Sequence, residues 1–287
     1  MVTILLGEVS VTSVVEIGRS SFPTASMLPD STPDAIAAHH AWLRPDFFDE
    51  AVGDLGSRIQ TFVVRTPRHT VLIDTCVGND KNREGSALWH MRAGTYLDDL
   101  EAAGVTPAEV DYVVCTHLHV DHVGWNTMLR GGTWVPTFPN ATYLIGGTEW
   151  DFFSTAEEPF LKGPVDDSVR PVVAAGMSQL VDDAHRLTDE VWLESTPGHT
   201  PGHFSVRISS RGEEAVITGD LMHHPILCRY PEWDNKFDYD GPRAKKTRRA
   251  FCERYADSGV LVLGTHFATP SAGRIRKQDD AYRFVLA

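Results

Sequence analysis

The chain has 287 residues, of which 42% are hydrophobic, enough for a large core in one α/β domain or two smaller ones. Acidic residues outnumber basic ones by 39 to 26, and the net charge of −13 disfavours nucleic acid and anionic membrane surfaces as partners. The four cysteines are widely spaced without a C-x-x-C pair, so we predict reduced, mostly buried thiols.

The N-terminal segment, residues 1–18, predicts a strand. It lacks the basic start, continuous apolar run and small-residue cleavage site of a signal peptide. No stretch of the chain approaches the ~18 to 20 apolar residues that a membrane span requires. We therefore expect a cytoplasmic protein without a membrane partner.

Residues 19–58 differ from the rest in having several prolines, little periodicity and a cluster of aromatic side chains around Trp42, Phe47 and Phe48. This composition predicts a partly helical excursion over the core. Two interpretations stay open, because long ordered loops are often functional. The segment is either a surface loop that packs its own aromatic residues, or a lid or wall of a substrate site.

The rest of the chain alternates short apolar runs with helical patterns. The runs are rich in β-branched residues and end in turn residues, as buried strands do; they are 61–64, 70–73, 112–115, 142–145, 191–194, 204–208, 215–218 and 260–263. Helices are predicted at 95–103, closed by Gly104, and at 242–257, with Asp240 near the start. The pattern indicates an α/β fold, and we expect a single domain over residues 1–287.

The second predicted helix contains a basic run. Its members are Arg243, Lys245, Lys246, Arg248 and Arg249. In an acidic protein such a run predicts a solvated helix face more often than a contact with nucleic acid.

The strand predicted at 112–115 is followed by His117-Leu118-His119-Val120-Asp121-His122. Core packing gives no reason for three imidazoles and a carboxylate in one turn, and the motif is improbable by chance. In extended backbone His117 and His119 project to the same side and can converge on one cation. Asp121 and His122 follow where the chain turns and can face a second cation.

These residues do not complete a catalytic zinc site, which takes three protein ligands and keeps one position open for water. Three further candidates lie just after predicted strands, next to glycine or turn residues: His199, Asp220 and His266. Ligands at the carboxyl ends of strands suit an open α/β site. The sequence therefore predicts a metal site built from several segments.

The order H-x-H-x-D-H, then His, Asp and His, resembles the metallo-β-lactamase fold hydrolases over roughly residues 60 to 270, including the upstream strand Val71-Leu72-Ile73-Asp74-Thr75. The resemblance implies an αββα four-layer sandwich of two mixed β-sheets flanked by helices. It also implies two zinc ions per chain, with iron, manganese or cobalt as alternatives. The first metal would be held by His117, His119 and His199, the second by Asp121, His122 and His266, with Asp220 bridging both and Asp74 supporting the ligands from behind.

The resemblance also separates subfamilies. The best-known dinuclear β-lactamases have Cys at the position of Asp220, and flavodiiron relatives have Glu at that of His119, so both activities are disfavoured. The numbers of residues that separate His199, Asp220 and His266 in the sequence are similar to those of quorum-quenching N-acyl-homoserine lactonases and methyl-parathion-hydrolase-like enzymes. Those lactonases have a tyrosine shortly after the bridging acid, where this chain has His223. His223 either replaces the tyrosine as a hydrogen-bond donor or general acid, or only lines the pocket.

The activity that the resemblance implies is hydrolysis of a lactone or carboxylic ester by a metal-bridging hydroxide. Asp121 or His223 would return a proton, so the candidate catalytic residues are Asp121, Asp220 and His223. Phosphotriester (organophosphate) hydrolysis is an alternative, because the motif does not distinguish carbon from phosphorus. A glyoxalase-II-like thioesterase is another. A non-heme iron persulfide dioxygenase is an alternative of a different class, although His122 and His266 argue against it.

Aromatic residues near the motifs predict an apolar pocket for a small-molecule substrate with a hydrophobic part. The candidates for substrate contact are Trp125, Phe48, Trp150 and His224. Related lactonases are often dimers, so the resemblance leaves a homodimer open.

Overall fold

The structure is a computed structural model that describes residues 2–20 and 23–287, so residues 21 and 22 of the predicted excursion lie outside the described residues. Two compact units divide the chain. Unit 1 is Met1–Glu16 with Ile59–His185, and unit 2 is Ile17–Arg58 with Arg186–Ala287. The prediction of a single domain over residues 1–287 stays a prediction.

The strands and helices alternate along the chain. The strands are β1 Val2–Leu6, β2 Val9–Ser20, β3 Phe48–Asp49, β4 Asp54–Leu55, β5 Ser57–Arg65, β6 Thr70–Ile73, β7 Tyr112–Cys115, β8 Thr127–Arg130, β9 Thr133–Pro136, β10 Thr142–Gly146, β11 Ser178–Val181, β12 Val191–Ser195, β13 Phe204–Ser210, β14 Glu213–Ile217, β15 Leu261–Leu263, β16 Ala272–Gln278 and β17 Ala281–Leu286. The α-helices are α1 Thr24–Met27, α2 Pro33–Ala37, α3 His40–Leu43, α4 Tyr96–Ala102, α5 Gly147–Phe153, α6 Pro159–Pro164, α7 Arg170–Ala174, α8 Ile226–Arg229 and α9 Gly241–Tyr255. This element content confirms the predicted α/β class.

A seven-stranded mixed sheet has the order β1-β2-β5-β6-β7-β10-β11. Its central strands β6, β7 and β10 are parallel, with Ile73 opposite Val114. The residues of β7 from Val113 to Cys115 are fully buried, as expected for a strand covered on both faces. Because β6 and β7 end side by side, the residues that follow them, Asp74 and Thr116, lie next to each other.

A six-stranded mixed sheet in unit 2 has the order β12-β13-β14-β15-β16-β17. Strands β14 and β15 are parallel, with Ile217 opposite Leu263, whereas β12 and β13 form an antiparallel pair. The loop at 196–203 joins β12 to β13. The ends of β12, β14 and β15 thus face one edge of this sheet, where His199, Asp220 and His266 follow them.

The excursion at 19–58 is partly helical, as predicted: it forms α1, α2, α3 and the β3–β4 hairpin. Its buried side chains belong to the hydrophobic core of unit 2, where they pack in one cluster with residues of α9 and of the two last strands. Its contributors to that cluster are Met27, Leu28, Ile36, Leu43, Phe47 and Leu55. The segment therefore supplies part of the core, and its role as a substrate wall stays a prediction.

Helix α9 begins one residue before the predicted start, and the Asp240 side chain accepts a hydrogen bond from the Arg243 N–H at 3.0 Å. The prediction of a solvated basic face is wrong for Arg248, which is fully buried. Helical periodicity explains this, because Arg248 shares a face with the buried residues Ala244, Phe251 and Tyr255.

The cysteines and the helices bear on the predictions about thiols and membrane spans. All four cysteines are buried and free, as predicted. Within the described part of the chain, no helix has the length and apolar character to cross a bilayer.

Candidate metal centre

The H-x-H-x-D-H motif follows β7 in unit 1. The Nε2 atom of His117 lies 3.1 Å from the Nδ1 atom of His119. Two nitrogen ligands of one tetrahedral zinc ion, each about 2.0 to 2.1 Å from the metal, are about 3.3 Å apart, so this spacing fits a shared cation. The Oδ1 atom of Asp121 lies 3.7 Å from the Nε2 atom of His122, so these two groups also face each other.

Asp74 positions two of these imidazoles from behind. It has a left-handed backbone, with φ of 58°, a conformation that non-glycine residues adopt mainly where the surrounding structure enforces it. Its carboxylate lies 2.9 Å from His122 Nδ1, and it accepts hydrogen bonds from the Thr116 N–H at 2.8 Å and from the Thr116 hydroxyl at 2.9 Å. The Thr116 oxygen is in turn 3.1 Å from His117 Nδ1.

This network determines which ring nitrogen carries the hydrogen. Since the Thr116 hydroxyl donates to Asp74, its oxygen accepts from the Nδ1–H of His117. His122 likewise donates its Nδ1–H to Asp74. Both imidazoles therefore keep the Nε2 lone pair for a metal, in the arrangement that metal-binding histidines commonly have.

In unit 2, the Asp220 carboxylate lies among three imidazoles. Its Oδ2 atom is 3.5 Å from His199 Nε2, 3.1 Å from His223 Nε2 and 3.2 Å from His266 Nε2. All four side chains are buried or nearly so. A carboxylate at this position can accept hydrogen bonds from, or share cations with, more than one imidazole.

Two of the three imidazoles are held as potential metal ligands. His199 Nδ1 lies 3.2 Å from the Asp238 carboxylate, and His266 Nδ1 lies 2.7 Å from the main-chain carbonyl oxygen of Arg58. Both partners are hydrogen-bond acceptors, so each Nδ1 carries the hydrogen and each Nε2 keeps its lone pair.

His223 is held in the opposite form. Its Nδ1 lies 2.8 Å from Asn235 Nδ2, while the Oδ1 atom of Asn235 accepts the N–H of Phe237 at 3.1 Å. The amide of Asn235 is thus oriented to donate to His223, and Nδ1 of His223 must accept. The hydrogen of His223 is therefore on Nε2, where it points at Asp220. His223 is built as a donor, whereas His199 and His266 are built as ligands.

Sequence reasoning did not identify Asp238, which lies in an irregular segment before α9. Burial raises the pKa of the Asp238 carboxyl, and the guanidinium of Arg248, 3.4 Å away, opposes this increase. Arg248 also donates to the carbonyl oxygens of Pro231 and Trp233. A buried chain of contacts thus runs from Arg248 through Asp238 to His199.

The backbone of Asp220 is fixed by His203, another residue with no predicted role. His203 Nε2 accepts the Asp220 N–H at 2.9 Å, and its Nδ1 donates to the Thr196 carbonyl oxygen at 3.0 Å. The available signal was the repeated tetrapeptide Thr-Pro-Gly-His, which ends once at His199 and once at His203.

Comparison with known proteins identifies the family. The sequence profile of the Metallo-beta-lactamase superfamily matches residues 56–266. The chain belongs to this superfamily. The resemblance predicted from the motif is thereby confirmed, and the match supports the prediction of a metal-dependent hydrolase.

Among curated members, the N-acyl homoserine lactonase AttM of Azorhizobium caulinodans is 33% identical over 119 residues, which are 39% of this chain and 42% of the relative. The N-acyl homoserine lactonase AttM of Agrobacterium fabrum is 32% identical over 133 residues, covering 44% and 47%. The chain thus spans less than half of the length of the curated relatives that it matches.

Solved structures extend the likeness over the chain. A structure described as hydrolase AbOPH in the beta lactamase superfamily has a TM-score of 0.80 and 25% identity, covering 99% of this chain and 96% of that one. AidC, described as a dizinc quorum-quenching lactonase, has a TM-score of 0.79 and 23% identity, with coverage of 99% and 96%. These matches confirm the predicted metallo-β-lactamase fold.

The donor set of this superfamily member suits a divalent metal. In unit 2, the Nε2 atoms of His199 and His266 lie 3.5 and 3.2 Å from the Asp220 Oδ2 atom. In unit 1, His117 and His119 bring two ring nitrogens together, and Asp74 keeps the Nε2 atom of His117 unprotonated. Neutral imidazoles and carboxylates are the ligands that zinc takes in hydrolytic sites.

Two of the predicted substrate-contact residues are buried in the protein. Trp125 donates its indole N–H to Glu16 at 2.7 Å and stacks on Tyr96. His224 is fully buried, with Nε2 donating to the Phe47 carbonyl oxygen and Nδ1 accepting the Ile226 N–H, and burial lowers the pKa of His224 to about 4. The polar atoms of both side chains are therefore occupied by contacts within the protein.

The other two predicted contact residues are partly accessible. Trp150 lies in α5, with the guanidinium of Arg170 at 5.8 Å from its ring centroid. Phe48 lies in β3 of unit 2, with its ring 4.5 Å from that of His40, and it lines a cavity within that unit.

Proposed function

We propose that this chain is a metal-dependent hydrolase that opens lactones or carboxylic esters, using two divalent metal ions, most simply zinc. The proposed ligands are those that the sequence predicted: His117, His119 and His199 for one ion, Asp121, His122 and His266 for the other, and Asp220 for both. The observation that carries the proposal is the position of Asp220 between two imidazoles held as ligands and a third held as a donor.

The protein's own groups have distinct parts in this reaction. When bound, the two metal ions supply a hydroxide nucleophile near neutral pH and polarise the substrate carbonyl. The His199 and His266 rings bind as neutral ligands because Asp238 and the Arg58 carbonyl oxygen hold their Nδ1 hydrogens. Asp220 balances the cationic charge.

His223 is the proposed hydrogen-bond donor to the substrate. Asn235 on the far side of the ring keeps the hydrogen on Nε2, the nitrogen that faces Asp220, so a donor is present beside the proposed bridging carboxylate as negative charge develops on the substrate oxygen. We assign proton return to the leaving group to Asp121, whose side chain is 13% exposed and so accessible to a departing alkoxide.

The substrate class rests on the relatives and on the donor. The curated relatives that match this chain are named as lactonases, and a fixed donor beside the bridging carboxylate suits a carbonyl oxygen that becomes an oxyanion. We propose a small-molecule substrate with a hydrophobic part. Cytoplasmic residence and a homodimer stay predictions.

A metal assay and a substrate panel test the proposal together. We expect close to two zinc ions per chain, and the highest kcat/KM on lactones or aryl esters compared with thioesters and phosphotriesters. A preference for phosphotriesters by orders of magnitude would contradict the proposed substrate class. One iron per chain with sulfur-dependent oxygen uptake would instead indicate a persulfide dioxygenase.

A pair of variants tests the donor role of His223. Glutamine retains an N–H group at a similar distance from the backbone, whereas leucine has none. We expect His223→Leu to lower kcat by about 100- to 1000-fold and His223→Gln to retain much more activity, with the metal content of both unchanged. Loss of metal in His223→Leu would show that His223 is a ligand, contrary to the tautomer argument.

A further inference from the structure

Unit 1 contains a buried carboxylate that the proposed reaction does not use. Glu16 lies in β2, and its side chain is 1% exposed. Burial raises the pKa of the Glu16 carboxyl, whereas hydrogen bonds from two main-chain N–H groups and one indole, and the charge of Arg92, lower it. Burying a carboxylate is costly unless it is hydrogen-bonded, so the partners of Glu16 indicate what it does.

The Glu16 carboxylate accepts hydrogen bonds from two segments at once. One oxygen accepts the Val77 N–H at 2.8 Å. The other oxygen accepts the Gly78 N–H at 3.2 Å and the indole N–H of Trp125 at 2.7 Å. Glu16 therefore links the segment that follows β6 with the short 3-10 helix Gly124–Asn126, which follows the H-x-H-x-D-H motif.

The backbones of these two segments are also hydrogen-bonded to each other. The Trp125 N–H donates to the Thr75 carbonyl oxygen at 2.8 Å, and the Thr75 N–H donates to the His122 carbonyl oxygen at 2.7 Å. Asp74 immediately precedes Thr75, and its carboxylate lies 2.9 Å from His122 Nδ1. The register of the two segments therefore determines where the Asp74 carboxylate meets the His122 ring.

Glycines bring the two segments into direct contact. The Gly124 N–H donates to the Cys76 carbonyl oxygen at 2.7 Å, and a Cβ atom at Gly124 would overlap the Val77 carbonyl group. A Cβ atom at Gly78, where φ is 83°, would lie only 2.8 Å from the Gly124 carbonyl carbon. Because close-packed groups transmit displacements, a shift of one segment moves the other.

We propose that Glu16 is a positioning residue that sets the geometry of the candidate metal ligands in unit 1, because it holds the Asp74 segment and the end of the histidine motif in one register. This inference rests on the proposed function and adds to it a residue that acts only through others. The charged form is required, because two oxygens serve three donors and a neutral amide has only one acceptor oxygen.

Glu16→Gln tests this role with little change in shape. The amide places its NH₂ group against at least one of the three donors, so the two segments lose part of their link. We expect the zinc affinity to fall by about tenfold, the lower end for a contact that supports a metal ligand. Competition with a chromophoric chelator measures the affinity. The visible absorption spectrum of the Co²⁺-substituted variant should also differ from that of the wild-type protein, because this spectrum reports coordination geometry.

Glu109→Gln is the matched control. It makes the same chemical change at a carboxylate that also accepts a main-chain N–H, that of Thr106 at 2.8 Å. Glu109 precedes β7, at the end of the strand opposite to the histidine motif. This variant should keep the zinc affinity and the Co²⁺ spectrum of the wild-type protein. Equal losses in Glu109→Gln and Glu16→Gln would overturn the inference.

Trp125→Phe is a milder second variant. It removes the indole N–H that Glu16 accepts and keeps an aromatic ring beside Tyr96. Zinc affinity should fall by less than in Glu16→Gln, and the two losses should not add in the double variant, because both substitutions weaken the same link. If Glu16→Gln does not fold, Trp125→Phe decides: an unchanged zinc affinity and Co²⁺ spectrum in this variant would overturn the inference.

Thermal unfolding of the metal-free proteins separates positioning from stability. We expect the spectrum of Glu16→Gln to differ at a temperature where both proteins are folded. A lower unfolding temperature with unchanged zinc affinity and spectrum would show a role in stability alone and overturn the inference. If the wild-type protein binds no divalent metal, the proposed function fails and this inference with it; wild-type binding that both variants match overturns the inference alone.

Discussion

The two groups of candidate ligands are supported in different ways. In unit 1 the candidate ligands lie within the six-residue motif at 117–122, and one carboxylate, that of Asp74, orients His122 directly and His117 through Thr116. In unit 2 the ligands come from separate loops, and each imidazole has its own partner. Support in unit 1 is therefore shared, whereas support in unit 2 is independent.

This difference has consequences for substitutions. Removal of the shared support should disturb two ligands at once, whereas removal of one independent support should disturb a single ligand. The exception in unit 2 is Asp220 itself, because it contacts all three imidazoles. We therefore expect the loss of metal binding and activity to be larger for a residue that contacts more of the candidate ligands.

The largest effect is expected for Asp220→Ala. The substitution removes the carboxylate that we propose to bind both ions, so activity should fall by at least about a thousandfold and the metal content should drop. Metal per chain and kcat/KM on the best substrate measure this. Asp280→Ala, at a side chain that is 94% exposed, is the control. Full turnover with two ions bound would refute the bridging role.

Asp74→Asn should come next. An asparagine at this position lacks the charge that holds the His122 Nδ1–H and the Thr116 hydroxyl, so two imidazoles lose their orientation together. We expect zinc affinity to fall by about 100-fold or more, since loss of one such supporting contact costs about 10- to 100-fold. Competition with a chromophoric chelator measures the affinity. A drop no larger than that in Asp238→Asn would contradict shared support.

Asp238→Asn should weaken a single ligand. His199 loses its charged acceptor, and we expect zinc affinity to fall by about tenfold, with the second ion retained. Asp234→Asn, at a half-exposed carboxylate that pairs with Lys245 at 2.8 Å, controls for charge in the same segment. Release of both ions together from Asp238→Asn would show that support in unit 2 is shared as well.

The smallest effect on activity is expected for Lys81→Met, in unit 1 but outside its ligand group. The Lys81 ammonium is fully buried, 2.7 Å from Thr127 Oγ1 and 3.7 Å from the ring centroid of Trp134. Burial lowers the pKa of Lys81 to about 7, although Asp167 opposes this. In the unfolded chain the ammonium titrates near its ordinary value of about 10.4.

Between pH 7 and pH 10 the unfolded chain therefore binds more protons at Lys81 than the folded chain does, and stability rises with pH by up to about 1.4 kcal/mol per pH unit. Below pH 7 both states are protonated, and this contribution no longer changes. The difference between the wild-type and Lys81→Met free energies of unfolding in urea, measured at pH 7 and pH 9, should show this dependence. An equal difference at both pH values would contradict the lowered pKa.

The sequence was sufficient to predict the strands that precede the ligands, because buried β-branched runs such as Thr70–Ile73 and Tyr112–Cys115 have clear ends. It also predicted the candidate ligands, because their order is that of a known family. It could not predict Asp238 or Asn235, whose contacts depend on how an irregular segment folds back onto the histidines. Arg248 was predicted to be solvated because it is charged and lies in a basic run, whereas its helical position places it on the buried face of α9.

The carbonyl oxygen that holds His266 belongs to the backbone of Arg58, and backbone groups persist through side-chain replacement. Position 58 can therefore exchange its side chain while the imidazole keeps its orientation. Sequence drift at position 58 is therefore compatible with an unchanged orientation of this candidate ligand.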